Sequence, residues 1–200
     1  MDAVARAVKG HGRMFIDLTV TVALDGHNPD PDTAQKMRLG HLGTHFDVMN
    51  KTFPLEYLKL EGIVFDVSRV ANRDITQDDI GFDEVGKGMF VALHSGVIER
   101  EGYGTRPYFT EHPQLSQEMI DALLDRGVSI IGVDFAGIRR GKEHPPADQR
   151  CADRGAFVVE NLCNLAAVLN GRPAVRFTAY TFPVSFTGMS GLPCRVAAEV

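Results

Sequence analysis

Two imidazoles and a carboxylate fall within seven residues, His41-Leu42-Gly43-Thr44-His45-Phe46-Asp47, with Gly40 just ahead of them. Imidazole nitrogen and carboxylate oxygen form a ligand set suited to zinc, manganese or iron(II). On a helix His41 and His45 would share a face; on a strand His45 and Asp47 would. Gly40 and Gly43 break a long helix, so the segment reads as a loop or short helical turn that folds its ligands inward. The competing reading is a glycine-rich turn with surface histidines. The carboxylate two residues after His45 favours a metal site.

The 200 residues fit one domain able to bury a substantial core. A formal net charge of −5 argues against a general nucleic-acid binder. The local basic group, Arg139-Arg140 with Lys142, reads as a solvated loop. Cys151, Cys163 and Cys194 are odd in number and lack CxxC spacing, which points to free thiols in a reducing, cytoplasmic setting. Residues 1–13 have no apolar core of signal-peptide type, and no later run could span a bilayer. A soluble protein that binds neither membrane nor nucleic acid is expected.

Residues 1–13 read as a flexible tail or short helix, and 14–200 as the folded domain. Met14 to Leu24 alternates and is β-branched, as strands are. Asp25 to Asp32, with Gly26 and two prolines, reads as a loop. Phe53 to Leu58 suits a turn or short helix. Ile63 to Val67, Met89 to His94 and Ser129 to Val133 are apolar runs of buried-strand type. Ile75 to Ile80 suits a short helix or turn with Thr76 as cap and Asp79 in the first turn. Tyr103 to Pro113 reads as a polar, aromatic loop over a pocket. The strongest helix signal spans Leu115 to Leu124, with Ser116 as cap, an apolar stripe of Met119, Ile120, Leu123 and Leu124, and Gly127 as terminator. Arg139 to Pro146 reads as a loop, Asp148 to Arg154 as helix. Phe157 to Glu160, Phe177 to Phe186 and Arg195 to Val200 read as strands. Alternating element types give the α/β class.

The segment His41-x-Gly43-Thr44-His45-x-Asp47 resembles the signature of the metal-dependent cyclase superfamily, which includes bacterial kynurenine formamidase and isatin hydrolase. Asp17-Leu18-Thr19, the Leu115–Leu124 helix, Gly132-Val133-Asp134, Glu160-Asn161-Leu162 and Gly191-x-Pro193-x-Arg195 follow in family order. The resemblance implies a single swivelling β/β/α domain of the cyclase-like type, assembled as a homodimer or homotetramer. It implies one divalent ion (Zn, Mn or Fe) on His41, His45 and Asp47, and it matches Glu160 to the glutamate of the family's second metal site. Glu160 is also the best candidate general base, against a purely structural acceptor. Family members often place an aromatic, substrate-facing residue in the loop where this chain has His27 and Asn28.

Two positions depart from the family pattern. A further metal-binding histidine is expected at Lys51, and another at Asp148, twelve residues before Glu160. Both changes fall on the second metal site and leave a second ion in question. Three accounts stand. The Lys51 ammonium replaces the second metal and pairs with Asp148 or Glu160; Asp148 and Glu160 hold a harder ion through oxygen; or Lys51 points to solvent and the site is eroded. Glu160, Lys51 and Asp148 are therefore the candidate catalytic groups. His94, His144 and His27 are candidates to face the substrate, and His144 also a proton shuttle or replacement ligand. The function implied is a metal-dependent amidohydrolase acting on a non-peptide C–N bond of a small cyclic or N-acyl amide. The alternative is a family member without catalysis that binds a small ligand or serves as a structural subunit.

Overall fold

The computed structural model describes residues 7–10, 12–23 and 31–200. Nine strands form one sheet: β1 Ala7–Gly10, β2 Arg13–Asp17, β3 His45–Asp47, β4 Lys59–Asp66, β5 Phe90–His94, β6 Ile130–Val133, β7 Phe157–Glu160, β8 Ala174–Pro183 and β9 Gly191–Glu199. Their order is β1-β2-β9-β3-β7-β6-β5-β4-β8, and β8 also pairs with β9. The seven strands from β9 round to β8 thus close a barrel, which leaves the β1–β2 hairpin attached to β9. Closure removes free sheet edges from the barrel.

Strands β4, β5, β6 and β7 run parallel; the remaining pairings are antiparallel. Parallel strands need crossovers. Helices α1 Pro31–Leu39, α2 Val97–Glu101, α3 Arg106–Thr110, α4 Gln117–Arg126, α5 His144–Asp153 and α6 Leu165–Leu169 complete the described fold. Three of them (α2, α3 and α4) lie between β5 and β6, and α5 lies between β6 and β7.

Alternate residues of the parallel strands serve two cores. Ile63 and Phe65, Val91 and Leu93, and Ile131 and Val133 pack with Met119, Ile120, Leu123 and Leu124 of α4. Val64, Phe90, Ala92, Ile130 and Val159 pack with Phe46, Phe177 and Val196 from the other barrel strands, and with Leu165, Val168 and Leu169 of α6. Burial on both faces is why these strands read as unbroken apolar runs. Each fully buried side chain of this type contributes about 1.5–3 kcal/mol of transfer free energy.

Helix α4 ends as its sequence dictates. Ser116 Oγ accepts from the Met119 amide at 3.0 Å, and Gly127 adopts φ 74° as the closing residue. Elsewhere the elements differ from the sequence reading. Residues 7–10 pair with 13–16 as a hairpin strand rather than a tail or helix; residues 1–6 and 11 lie outside the described set. The stretch 103–113 contains α3, opened by Thr105, whose hydroxyl accepts from the Tyr108 amide at 3.3 Å. The loop read over Arg139–Pro146 becomes helix from His144 onward. Pro145 and Pro146 fall in the first turn of α5, where a missing N–H costs nothing. No helix among the described residues is long and apolar enough to cross a membrane.

Candidate metal centre

β3 lies between β7 and β9, with His45 opposite Glu160 on one side and Pro193 on the other. The two-residue period turns His45 and Asp47 to one face and Phe46 to the barrel core. Direct pairing therefore brings Glu160 beside the motif: its Oε2 lies 3.6 Å from His45 Nε2. His45, Asp47 and Glu160 are each at most 3% exposed.

The loop ahead of β3 is fixed by named contacts. Gly40, at φ +81°, presses on the Gly191 backbone so closely that any Cβ would run into the Gly191 carbonyl. Thr44 Oγ1 donates to the Asn161 carbonyl at 2.7 Å and accepts from the Val20 amide at 2.9 Å. Asn161 Nδ2 donates to the Gly43 carbonyl at 2.8 Å, and Asn161 Oδ1 accepts from the Tyr108 hydroxyl at 2.6 Å. The Gly43 amide donates to Tyr103 Oη at 2.7 Å. His45 Nδ1 sits 2.9 Å from the same Gly43 carbonyl and donates to it, which leaves Nε2 as the nitrogen that faces Asp47 and Glu160.

His41 Nδ1 is 3.0 Å from both His45 Nε2 and Asp47 Oδ1, and its Nε2 is 2.8 Å from Ser190 Oγ. The structure thus brings the triad together with its donor atoms within 4.8 Å of one another. A second group shares Asp47 and adds His144, Asp148 and Glu160. His144 and Asp148 stand one turn apart on α5; His144 Nε2 lies 3.0 Å from Asp148 Oδ2 and 2.9 Å from Glu160 Oε1. Gly137 makes room for this ring, since a Cβ there would come within 2.7 Å of His144 Cε1.

Charge crowding shapes the protonation of both groups. Burial lowers His45, but the Asp47 carboxylate and then Glu160 outweigh it and push it up to about 9. Asp47 is held far below the carboxylate range: burial raises it, and the His45 and His41 imidazoles more than offset that. Burial and the Asp47 charge raise Asp148 to about 8. The same two causes raise Glu160, with His144 opposing. His144 itself is lowered by burial and driven up to about 11 by Asp148 and Glu160.

The residues fit a divalent cation. Asp47 Oδ2 and Asp148 Oδ1 are buried without a hydrogen-bond partner, and a buried carboxylate oxygen is costly unless a cation or donor meets it. The mixed nitrogen and oxygen set excludes a preference for soft, thiolate-seeking ions.

Lys51 is not part of this cluster. Met49 takes φ 56°, and the turn closed by the Lys51 amide on the Val48 carbonyl at 2.9 Å carries the side chain outward. Its side chain is 38% exposed, and its ammonium pairs with Asp153 Oδ1 at 2.7 Å. This corrects the account in which Lys51 occupies the second position; His144 is the cation found there. His94 ends β5 in a separate group with Glu99 and Asp134. Its Nδ1 is 3.6 Å from Asp66 Oδ1. His27 lies outside the described residues.

Sequence reasoning did not single out Tyr103, Tyr108, Asn161 or Ser190 as parts of the site. Glu160-Asn161-Leu162 was the available signal for Asn161; the tyrosines and Ser190 enter through contacts distant in sequence.

The closed mixed barrel is shared with solved structures whose names describe hydrolases. One such structure, a "potential metal-dependent hydrolase with cyclase activity", is 23% identical with a TM-score of 0.72, over 92% of this chain and 96% of its own. Isatin hydrolase A from Labrenzia aggregata, bound to benzyl benzoate, is 19% identical with a TM-score of 0.69, over 93% of each chain. Isatin hydrolase A from Ralstonia solanacearum is 18% identical with a TM-score of 0.69, over 93% of this chain and 91% of its own. These likenesses establish the fold. The family model described as "Putative cyclase" matches residues 16–139, and the chain belongs to that family. No curated protein sequence matches it.

Proposed function

We propose that the chain is a metal-dependent hydrolase that opens a small cyclic or N-acyl amide with water. The observation that carries this is the convergence of a part-exposed His41 with buried His45 and Asp47 and with Glu160 on the paired strand β7, together with the unpartnered Asp47 Oδ2. His41, His45 and Asp47 would hold one zinc, manganese or iron(II) ion. Such an ion lowers the pKa of water towards neutrality and polarises a carbonyl. Glu160, beside His45, is placed to accept the proton of the attacking water. His144 contacts Glu160 and its side chain is 31% exposed, so the imidazolium can give its proton to the leaving nitrogen or to solvent, and the freed Nε2 can then take the proton that Glu160 Oε1 received from the attacking water.

In this reading His144 supplies the positive charge among Asp148 and Glu160 that a second ion would otherwise supply. Asp148 holds the imidazolium from the next turn of α5. Loop contacts from Thr44, Asn161 and Tyr103 orient His45 rather than react. A cytoplasmic homodimer or homotetramer completes the proposal, on the family resemblance.

The experiment is turnover of a panel of formamides, isatin and lactones by metal-reloaded protein, alongside Glu160→Gln. Cleavage of at least one amide, lost by a factor of about 100 or more in the variant, supports the reading. A metal-loaded protein inert to the whole panel, or a fully active Glu160→Gln, contradicts it.

A further inference from the structure

A cavity of about 390 Å³ lies against the outer side of the metal-ligand loop. Leu42 of that loop lines it, as does Tyr103, whose hydroxyl holds the Gly43 amide. A second space of about 320 Å³ shares the Asp32 and Lys36 walls and is lined by His41. The cavity therefore runs from the triad's own histidine out between α1 and α3. Its size suits a small organic molecule.

The lining has a definite chemistry. Phe109 and Tyr103 present aromatic surface, with their ring centroids 6.0 Å apart. Lys36 on α1 and Arg106 on α3 bring two cationic side chains to the wall, against one carboxylate, Asp32, among the described lining residues. The Lys36 ammonium sits 3.8 Å from the Phe109 ring centroid, which holds it over the aromatic surface. A flat ring with an acidic substituent matches this wall on both counts, because a planar guanidinium and an ammonium recognise carboxylate.

We infer that this cavity is a subsite for a carboxylate carried by the substrate, so that the amide cleaved belongs to an aryl or similarly flat carboxylic acid. The inference rests on the amide-hydrolase reading for the scissile group and adds the acidic end of the molecule. Lys36 and Arg106 are specificity residues here; neither touches the reacting atoms.

The test is calorimetric binding of 4-acetamidobenzoate and of acetanilide to the zinc-reloaded full chain, in the wild type and in Lys36→Met, Arg106→Met and the double variant. The para carboxylate keeps the acid and amide at opposite ends of the probe. The acid is expected to bind about tenfold tighter than the neutral anilide, the gain of one partly desolvated ion pair. In the double variant the two affinities fall within about twofold of each other, while zinc content and acetanilide affinity stay unchanged. Equal affinities in the wild type overturn the inference. So does an advantage that survives in the double variant, since the acid would then sit on the metal, and so does the absence of measurable binding of either probe. Binding is read without turnover. A chain that prefers the acid yet hydrolyses no amide keeps the subsite and loses the hydrolytic reading; one that hydrolyses amides with no preference for the acid does the reverse.

Discussion

His144 Nε2 stands 2.9 Å from Glu160 Oε1, although the two residues come from different elements and the ring enters from the first turn of a helix opened by two prolines. The same nitrogen lies 3.0 Å from Asp148. Removing the ring leaves two crowded carboxylates without their cation. His144→Ala is expected to lose about 2 kcal/mol, less than a fully buried pair because the ring is partly exposed. Lys51→Met, which breaks only an exposed pair with Asp153, should change stability by less than about 0.5 kcal/mol. Urea denaturation of chelator-treated protein checks both; a larger loss for Lys51→Met than for His144→Ala contradicts the assignment.

Asn161 adopts φ 58° and ties the Gly43 carbonyl to the Tyr108 hydroxyl. Asn161→Ala strains the backbone and orphans two buried polar groups, for a loss of about 2–4 kcal/mol. Because the same contacts orient His45, metal affinity should fall about 10- to 100-fold. A competition titration with a chromogenic chelator measures it, and unchanged affinity in a folded variant would show the loop to be positioned by other means.

His112 stacks on Phe135 with ring centroids 5.5 Å apart and is 1% exposed. Burial lowers it to about 4, below its ordinary value of 6.5. Between those two pH values the unfolded chain binds a proton that the folded chain refuses. The contribution of His112 to folding stability is therefore intact above about pH 6.5, falls as pH drops through that range, and levels off below about 4. By pH 5 the loss amounts to about 2 kcal/mol. The stability difference between the wild type and His112→Asn, measured by denaturation at pH 7 and pH 5, should shift by that amount against the wild type. A pH-independent difference refutes it.

The family resemblance implies an oligomer, and Phe15, Phe182 and Phe186 leave sizeable apolar surface exposed on the single chain. Sedimentation equilibrium at micromolar concentration should give a multiple of 21.9 kDa. A clean monomer contradicts the expectation.

What the sequence discloses and what it conceals divide on physical lines. Local signals carry over: Ser116 and Gly127 bound α4, and the apolar runs at 63–67 and 129–133 are buried on both faces. The motif at 41–47 places its own ligands, because three residues of β3 suffice to turn His45 and Asp47 to one side. The β8–β9 hairpin is local, but barrel closure also needs β4 on β8 and β3 on β9, pairings across more than 100 residues that have no local signature. The side chain that meets Asp148 and Glu160 is His144 rather than Lys51, and this was not legible. Sequence spacing cannot show that Met49 turns Lys51 away, and Pro145-Pro146 suggests a loop where it opens a helix and delivers His144. The cage of Tyr103, Tyr108 and Asn161 depends on contacts across more than 50 residues and was equally hidden.

The most direct test of the account is the metal content of the dialysed protein after reloading, compared with that of His41→Ala and His144→Ala. With the triad as the binding site, the wild type and His144→Ala each hold one zinc, manganese or iron ion per chain, and His41→Ala holds none. A wild type that cannot be loaded, or a His41→Ala that loads normally, contradicts the metal centre itself. Two ions in the wild type falling to one in His144→Ala would make His144 a ligand and overturn its role as the replacing cation.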